Sequence, residues 1–173
     1  MGRIAFLVAA EGIERVELTE PWKAVKDAGH VPVLVSPSSG EVQTFDHLTA
    51  AEKLPVDEVV GDVAVDDFVA LVLPGGVANP DALRRDEKAV AFVKDFAGSG
   101  KPVAAICHAP WTLIEADVVR GRTVTSWPSL QTDLRNAGAT WVDQEVVTDD
   151  NLITSRNPDD LAAFADAVLK ALG

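Results

Sequence analysis

Short apolar runs alternate with amphipathic segments along most of the chain. Continuous apolar runs are typical of strands buried on both faces, and they cover residues 3–9, 31–35, 69–73 and 102–106. The segments between them carry apolar side chains at helical spacing, which predicts helices over residues 13–28, 81–97 and 111–116. Because a parallel pair of strands needs a crossover connection, this order predicts a mostly parallel sheet with helices against it.

The rest of the chain fits the same layered arrangement. Residues 36–67 contain turn residues among acidic side chains, which predicts a small hairpin region that faces solvent. The C-terminal third predicts a final helix with Asn157 at its N-cap and Pro158 after it, preceded by a helix over 128–137 and by short strands over 123–126, 140–142 and 146–154. We therefore expect an α/β fold, a three-layer α/β/α sandwich that residues 1–173 form as one domain, since no linker-like tract divides them.

Composition and charge narrow the class of protein. The 173 residues are 47% hydrophobic and 24% charged, which is too apolar for a disordered chain and too charged for a membrane protein. With 27 acidic against 15 basic residues the net charge is -12, so we expect neither nucleic acid nor an anionic membrane as a partner. The apolar run over residues 4–10 is shorter than the core of a typical signal peptide, so we expect a cytoplasmic protein.

The one cysteine, Cys107, lies where a buried strand runs into a helix. A single cysteine excludes an internal disulfide and a CxxC motif. The small residues Ala105 and Ala109 on either side fit a nucleophile elbow, and the start of the helix would stabilise a thiolate with a pKa below about 7.5. The alternative is an inert, buried small side chain.

A second turn, Pro74-Gly75-Gly76, ends the neighbouring predicted strand. The N–H groups of Gly75, Gly76 and His108 can form an oxyanion hole beside the sulfur, although a plain strand-to-helix turn would have the same sequence. No histidine follows residue 108, and no cluster of His, Cys and carboxylates has metal-ligand spacing. We therefore expect neither a metal nor another cofactor.

Separated motifs along nearly the whole chain resemble the PfpI-type cysteine peptidases and deglycases, which are related to the parkinsonism-associated deglycase and to class I glutamine amidotransferases. These motifs are Val72-Leu73-Pro74-Gly75-Gly76, Ala105-Ile106-Cys107-His108-Ala109-Pro110, Arg120-Gly121-Arg122, Thr154-Ser155-Arg156 and Pro158-Asp159-Asp160-Leu161. The resemblance implies a flavodoxin-like, class I glutamine amidotransferase-like fold. The amidotransferases need a downstream histidine, so glutaminase chemistry is not expected.

The resemblance also implies roles for individual residues. Cys107 matches the family's nucleophile and His108 its adjacent histidine, while Glu17 matches the carboxyl that hydrogen-bonds the cysteine and Glu14 a second acidic position in the pocket. Glu14 and Glu17 are three residues apart, so they share one side of a helix. The alternative is a pair of glutamates on a solvated face.

Two further positions bear on the site. In peptidase-type members an acidic residue from a neighbouring subunit pairs with the histidine of the site, and Asp81 matches that residue. The resemblance therefore implies at least a homodimer. The alternative is that Asp81 is only a charge at a helix N-terminus. Trp127 occupies the pocket position where those members carry an aromatic hydroxyl, and the chain contains no tyrosine. An indole cannot act as an acid or base.

These expectations combine into a hypothesis of function. We expect a cysteine-dependent hydrolase or lyase of the PfpI type that acts on small reactive carbonyls, glycated adducts or peptides in stress protection. The alternative is a redox-sensing or chaperone-like stress protein that uses Cys107 without substrate turnover. A family member that has lost activity, as Trp127 suggests, is a third reading.

Overall fold

A seven-stranded sheet forms the centre of the protein, in a computed structural model that describes residues 1–173. Its strand order is β11-β12-β8-β7-β1-β3-β6, with bounds β1 Arg3–Leu7, β3 Val31–Ser36, β6 Glu58–Val59, β7 Ala70–Leu73, β8 Val103–Ile106, β11 Val146–Asp149 and β12 Leu152–Ser155. Every neighbouring pair is parallel except β11 and β12. The predicted mostly parallel α/β sheet is confirmed.

Six helices surround this sheet: α1 Arg15–Asp27, α2 Ala78–Leu83, α3 Glu87–Gly98, α4 Pro110–Glu115, α5 Gln131–Asn136 and α6 Leu161–Leu172. Side chains of β1 alternate between two cores, because Ile4 and Phe6 join the cluster under α1 and α6 whereas Ala5 and Leu7 join the cluster under α3, α4 and α5. Burial of apolar side chains on both faces explains the continuous apolar runs. The predicted three-layer α/β/α sandwich is confirmed.

Two small sheets complete the fold. β2 Glu11–Glu14 pairs parallel with β4 Glu41–Asp46, which pairs antiparallel with β5 Thr49–Pro55. The predicted hairpin within residues 36–67 is therefore present, and helix α1 begins two residues later than predicted because residues 11–14 are used in strand pairing. The other small sheet joins β9 Thr123–Val124 to β10 Thr140–Trp141.

The predicted helix over residues 81–97 is wrong in one respect, because the structure divides it into α2 and α3. Asp86 stands at the break, where its side chain accepts a hydrogen bond from the N–H of Ala89 and caps α3. The predicted cap at Asn157 is present and accepts from the N–H of Asp159, but the first turn after it is a 3₁₀ turn. None of the helices combines the length and the apolar character that a membrane crossing requires.

Candidate active site

The turn from β8 into α4 places Cys107 in a conformation that side chains rarely adopt. Its φ angle is 64°, in the left-handed region. The backbone is fixed on both sides, because the Cys107 N–H donates to the carbonyl of Ser155 at 3.1 Å and its carbonyl accepts from the N–H of Trp127 at 2.9 Å. Strain of this kind persists only where the surroundings hold it, and here it presents a thiol at the carboxyl edge of the sheet.

Glu17 meets this turn from the first turn of α1. Its side chain is fully buried, and Oε2 accepts a hydrogen bond from the N–H of Gly75 at 2.9 Å. This N–H, predicted as an oxyanion donor, is therefore already bonded to Glu17, which leaves the N–H groups of Gly76 and His108 as candidates. A Cβ added at Gly75 would lie 2.3 Å from that oxygen and 2.7 Å from Cβ of Cys107. Only a glycine fits at this position, because the Glu17 carboxyl and the Cys107 side chain both pack against the Gly75 backbone.

Burial governs the protonation of this pair. It raises the pKa of Glu17 to about 8, with the charge of Glu14 as the next cause. It also raises the pKa of the Cys107 thiol, and repulsion from Glu17 adds to the rise; the N–H groups of Gly76 and His108 favour the thiolate but do not compensate. Each side chain therefore shifts the pKa of the other. No hydrogen bond of ordinary geometry joins them, and Oε1 of Glu17 is buried without a hydrogen-bond partner.

The expected low pKa of the Cys107 thiol is therefore wrong. That expectation counted the helix N-terminus and the backbone amides, which do act in the expected direction. Two effects outweigh them: the Cys107 side chain is only 7% exposed, so a thiolate there is poorly solvated, and the nearby carboxylate of Glu17 repels it. At pH 7 the thiol therefore holds its proton, and so does the carboxyl in most molecules.

His108 lies beside the sulfur between two indoles. Its Nδ1 is 3.1 Å from Sγ of Cys107. The imidazole stacks on Trp127, with ring centroids 5.7 Å apart, and meets the edge of Trp111 at 5.2 Å. Burial lowers the pKa of His108, so the ring is neutral at physiological pH. Trp127 is 39% exposed, so its indole forms an open wall of the site.

The structure places the two remaining predicted acids differently. The prediction that Glu14 shares one side of a helix with Glu17 is wrong, because Glu14 is the last residue of β2 and pairs with Phe45. Its carboxylate accepts from the N–H of His47 at 3.2 Å, and its charge acts on Glu17. Asp81 is exposed in the first turn of α2 and has no hydrogen bond to His108 within the chain. It lines an open surface groove together with Arg84 and Glu115. No group of three or more His, Cys, Asp or Glu side chains is arranged to hold a metal ion.

One residue of the site was not predicted at all. Asn79 is fully buried and forms three hydrogen bonds, one accepted from the N–H of Ala9 and two donated to the carbonyls of Pro74 and Gly75. In the sequence Asn79 precedes a proline shortly after a glycine pair, which is typical of an ordinary turn. The one available signal was a short amide side chain next to the turn that carries the candidate oxyanion donors.

The fold and this arrangement define a class: α/β proteins that carry a cysteine on a sharp strand-to-helix turn above a parallel sheet. The chain belongs to the DJ-1/PfpI family, whose sequence pattern matches residues 2–171. The predicted resemblance is therefore confirmed.

Two named relatives of similar sequence extend this finding. The chain is 44% identical over 172 residues to Protein/nucleic acid deglycase 2 of Escherichia coli strain K12, covering 99% of this chain and 98% of that protein. It is 44% identical over 165 residues to General stress protein 18 of Bacillus subtilis strain 168, covering 95% and 94% of the two chains. These names confirm the predicted PfpI-type function at the level of the family.

A solved structure shows the same fold. The DJ-1/ThiJ/PfpI-like part of a two-domain protein from Anabaena variabilis matches with a TM-score of 0.94 and 35% identity. All of this chain is covered, but it spans only 48% of that chain, which also contains a ferritin-like domain. The similarity therefore concerns one domain of that protein.

Proposed function

We propose that this protein is a cysteine-dependent hydrolase or lyase that acts on α-oxoaldehydes and on their adducts with amines. The observation that carries the proposal is the convergence of the Cys107 side chain and the buried carboxyl of Glu17 on the Gly75 turn. A relative 44% identical to the chain is named a deglycase, which supports the substrate class.

The first chemical step follows from this contact. The sulfur of Cys107 attacks the electrophilic carbonyl carbon, so an S–C bond forms and the carbonyl π pair moves to its oxygen. The thiol proton passes to Glu17 in the molecules whose Glu17 is ionised, a fraction that grows as pH rises toward the Glu17 pKa of about 8. The N–H groups of Gly76 and His108, which already favour negative charge at the sulfur, hold the new oxyanion.

The raised pKa of Glu17 suits this role. A general base works best when its pKa lies near the working pH, and burial brings Glu17 to about 8. The thiol itself stays protonated until it attacks, so the base and the nucleophile act together. His108 is neutral and adjacent to Sγ, so it orients the sulfur and lines the substrate pocket without a charge.

The overall reaction needs no external oxidant. The aldehyde hydrogen moves as a proton to the neighbouring ketone carbon, which leaves a thioester on Cys107, and water then hydrolyses the thioester, breaking the S–C bond and returning the thiol. The aldehyde carbon is thereby oxidised and the ketone carbon reduced within one molecule, and the product is a 2-hydroxy acid. Hydrolysis of an amine adduct releases the amine as well. A redox sensor without turnover is the weaker alternative, because oxidation requires thiolate character and burial raises the pKa of this thiol.

Assembly and location belong to the same proposal. Within the chain the imidazole of His108 hydrogen-bonds only with the sulfur, and Asp81 is exposed, so a second copy can bring its Asp81 to the imidazole. We expect residues 1–173 to act as one domain in a cytoplasmic homodimer or larger homo-oligomer, with neither nucleic acid nor a membrane as partner. Light scattering across micromolar concentrations tests the dimer, and a monomer throughout rejects the shared site.

The test of function separates three activities in one assay. The pure protein is assayed separately with methylglyoxal, with a preformed methylglyoxal–amine adduct and with an unfolded peptide. The concentration of free methylglyoxal is kept the same in the first two assays. Release of lactate and of free amine is followed together with peptide cleavage, and Cys107→Ser serves as the control. The proposal expects lactate from wild type only; equal rates for wild type and Cys107→Ser would reject it.

A further inference from the structure

Asn79 connects the candidate oxyanion turn to the end of β1. Its Oδ1 accepts from the N–H of Ala9 at 2.7 Å, and its Nδ2 donates to the carbonyls of Pro74 and Gly75, both at 3.0 Å. All of these atoms are buried, so no solvent competes for the bonds. The residue thus uses its entire amide on backbone groups around the turn.

The two carbonyls determine where two N–H groups point. In a trans peptide the C=O of one residue and the N–H of the next lie in one plane and point in opposite directions, and the chain contains no cis peptide. Holding the carbonyl of Pro74 directs the N–H of Gly75 to the other side, where it donates to Glu17. Holding the carbonyl of Gly75 likewise directs the N–H of Gly76 away from Asn79, to the side where Glu17 and Cys107 lie and where it favours the charged form of each.

The turn has little freedom to find this orientation by itself. Gly75 and Gly76 have no side chains to restrict them, and glycine is the most flexible residue in the unfolded chain. On the outer side Gly76 packs directly on the backbone of residue 12, since a Cβ would lie 2.0 Å from the carbonyl oxygen of Gly12. The N–H of Glu14 also reaches the Gly75 carbonyl, but at 3.4 Å, longer than the bond from Asn79.

We propose that Asn79 is a positioning residue, which aims the Gly75 N–H at the Glu17 carboxyl and the Gly76 N–H at the sulfur and at the oxyanion. Its effect on catalysis rests on the proposed function above. Its effect on the acidity of the thiol does not, because the Gly76 N–H favours the thiolate whatever the substrate is.

The test replaces Asn79 by Asp, which keeps the shape and the acceptor for Ala9. The two N–H donors are replaced by one O–H donor, because a carboxyl buried beside two carbonyl oxygens keeps its proton. Asn151 is the matched control, because its amide also donates to two carbonyls, those of Ala97 and Lys101, and its oxygen accepts from Arg122. Each protein is melted thermally to measure stability. The alkylation rate of Cys107 by iodoacetamide is then measured from pH 6 to 10, followed by kcat and KM for lactate release.

We expect Asn79→Asp to slow alkylation about tenfold at pH 8 and to lower kcat by ~10-fold or more with little change in KM, since loss of one oxyanion donor costs up to ~10²–10³ in kcat. Asn151→Asp should change both rates less than twofold at a similar loss of stability. Equal alkylation by the two variants would overturn the proposal and leave Asn79 a structural residue.

A second variant covers a failure to fold. Asn79→Ser also keeps one O–H donor, but on a shorter side chain, and we expect it to slow alkylation at least as much as Asn79→Asp. Wild-type alkylation by Asn79→Ser would count against the proposal. The two proposals fail separately. If no protein releases lactate but Asn79→Asp still slows alkylation, the proposed function fails and the role of Asn79 stands. If lactate is released and Asn79→Asp alkylates normally, the reverse holds.

Discussion

Replacing Glu17 by Gln removes an ionisable group from beside the sulfur while preserving its size. In the wild type both groups are neutral at pH 7, and Glu17 is the first to ionise, because its pKa is about 8 and that of the thiol is raised further above its ordinary value. Above pH 8 the thiol must therefore ionise against an adjacent carboxylate. The two groups titrate as a coupled pair.

The coupling predicts a break in the alkylation profile. Below pH 7 the rate of the wild type rises tenfold per pH unit, because the thiolate forms beside a neutral carboxyl. Above about pH 8 the rate levels off, because Glu17 loses its proton in place of the thiol and its negative charge then opposes formation of the thiolate. Glu17→Gln lacks this competing group, so its rate continues to rise and exceeds that of the wild type about tenfold at pH 9, with equal rates below pH 7.

Iodoacetamide alkylation measures this directly, because Cys107 is the only cysteine in the chain. Glu14→Gln is an informative control: it keeps the carboxyl of Glu17 but removes a charge that raises its pKa, so the break should move to lower pH. A wild-type profile without a break near pH 8, or the same break in Glu17→Gln, would refute the assignment of the two pKa directions.

Three further predictions concern stability and the walls of the site. Between pH 4.5, the ordinary pKa of a glutamate, and about pH 8, the folded protein holds the Glu17 proton whereas the unfolded chain releases it, so the free energy of unfolding falls as pH rises through this range. Relative to wild type, Glu17→Gln should therefore gain up to ~5 kcal/mol in free energy of unfolding between pH 5 and 8, measured in denaturant melts. A difference that stays constant with pH would contradict this. In thermal melts Gly75→Ala should lower the free energy of unfolding by about 2 kcal/mol or more, because its Cβ has no room. Gly98→Ala, whose Cβ would have nothing within 4 Å, should be neutral or stabilising in the same thermal melts. Equal losses of stability in the two variants would argue against the tight contact at Gly75. Trp127→Ala should raise the pKa of His108 toward 6.5 by exposing the ring, while Trp127→Phe should not, as imidazole NMR titration would show.

Local sequence was sufficient for the parts of the site that local structure creates. The apolar run before Cys107 and the small residues around it define the sharp turn, and the glycine pair after β7 defines the second turn. Parallel strands align their carboxyl ends, so two such turns on neighbouring strands meet at one edge. The sequence could therefore predict the fold and the position of the site.

The sequence could not predict effects that depend on distant packing. The pKa of Cys107 depends on burial and on Glu17, which lies ninety positions earlier in the chain. The bond from Ala9 to Asn79 spans seventy positions, and no spacing rule connects them. The break at Asp86 was missed because the apolar positions keep their helical phase across it.

The pH dependence of kcat/KM tests the central claim that Cys107 attacks while Glu17 takes its proton. Lactate formation from methylglyoxal is measured from pH 5 to 10 with wild type, Glu17→Gln and Cys107→Ala. The account predicts a wild-type kcat/KM that rises with pH and levels off near pH 8, a loss of ~10²-fold or more in Glu17→Gln, and no catalysis by Cys107→Ala. Turnover by Cys107→Ala, or an unchanged profile in Glu17→Gln, would contradict it.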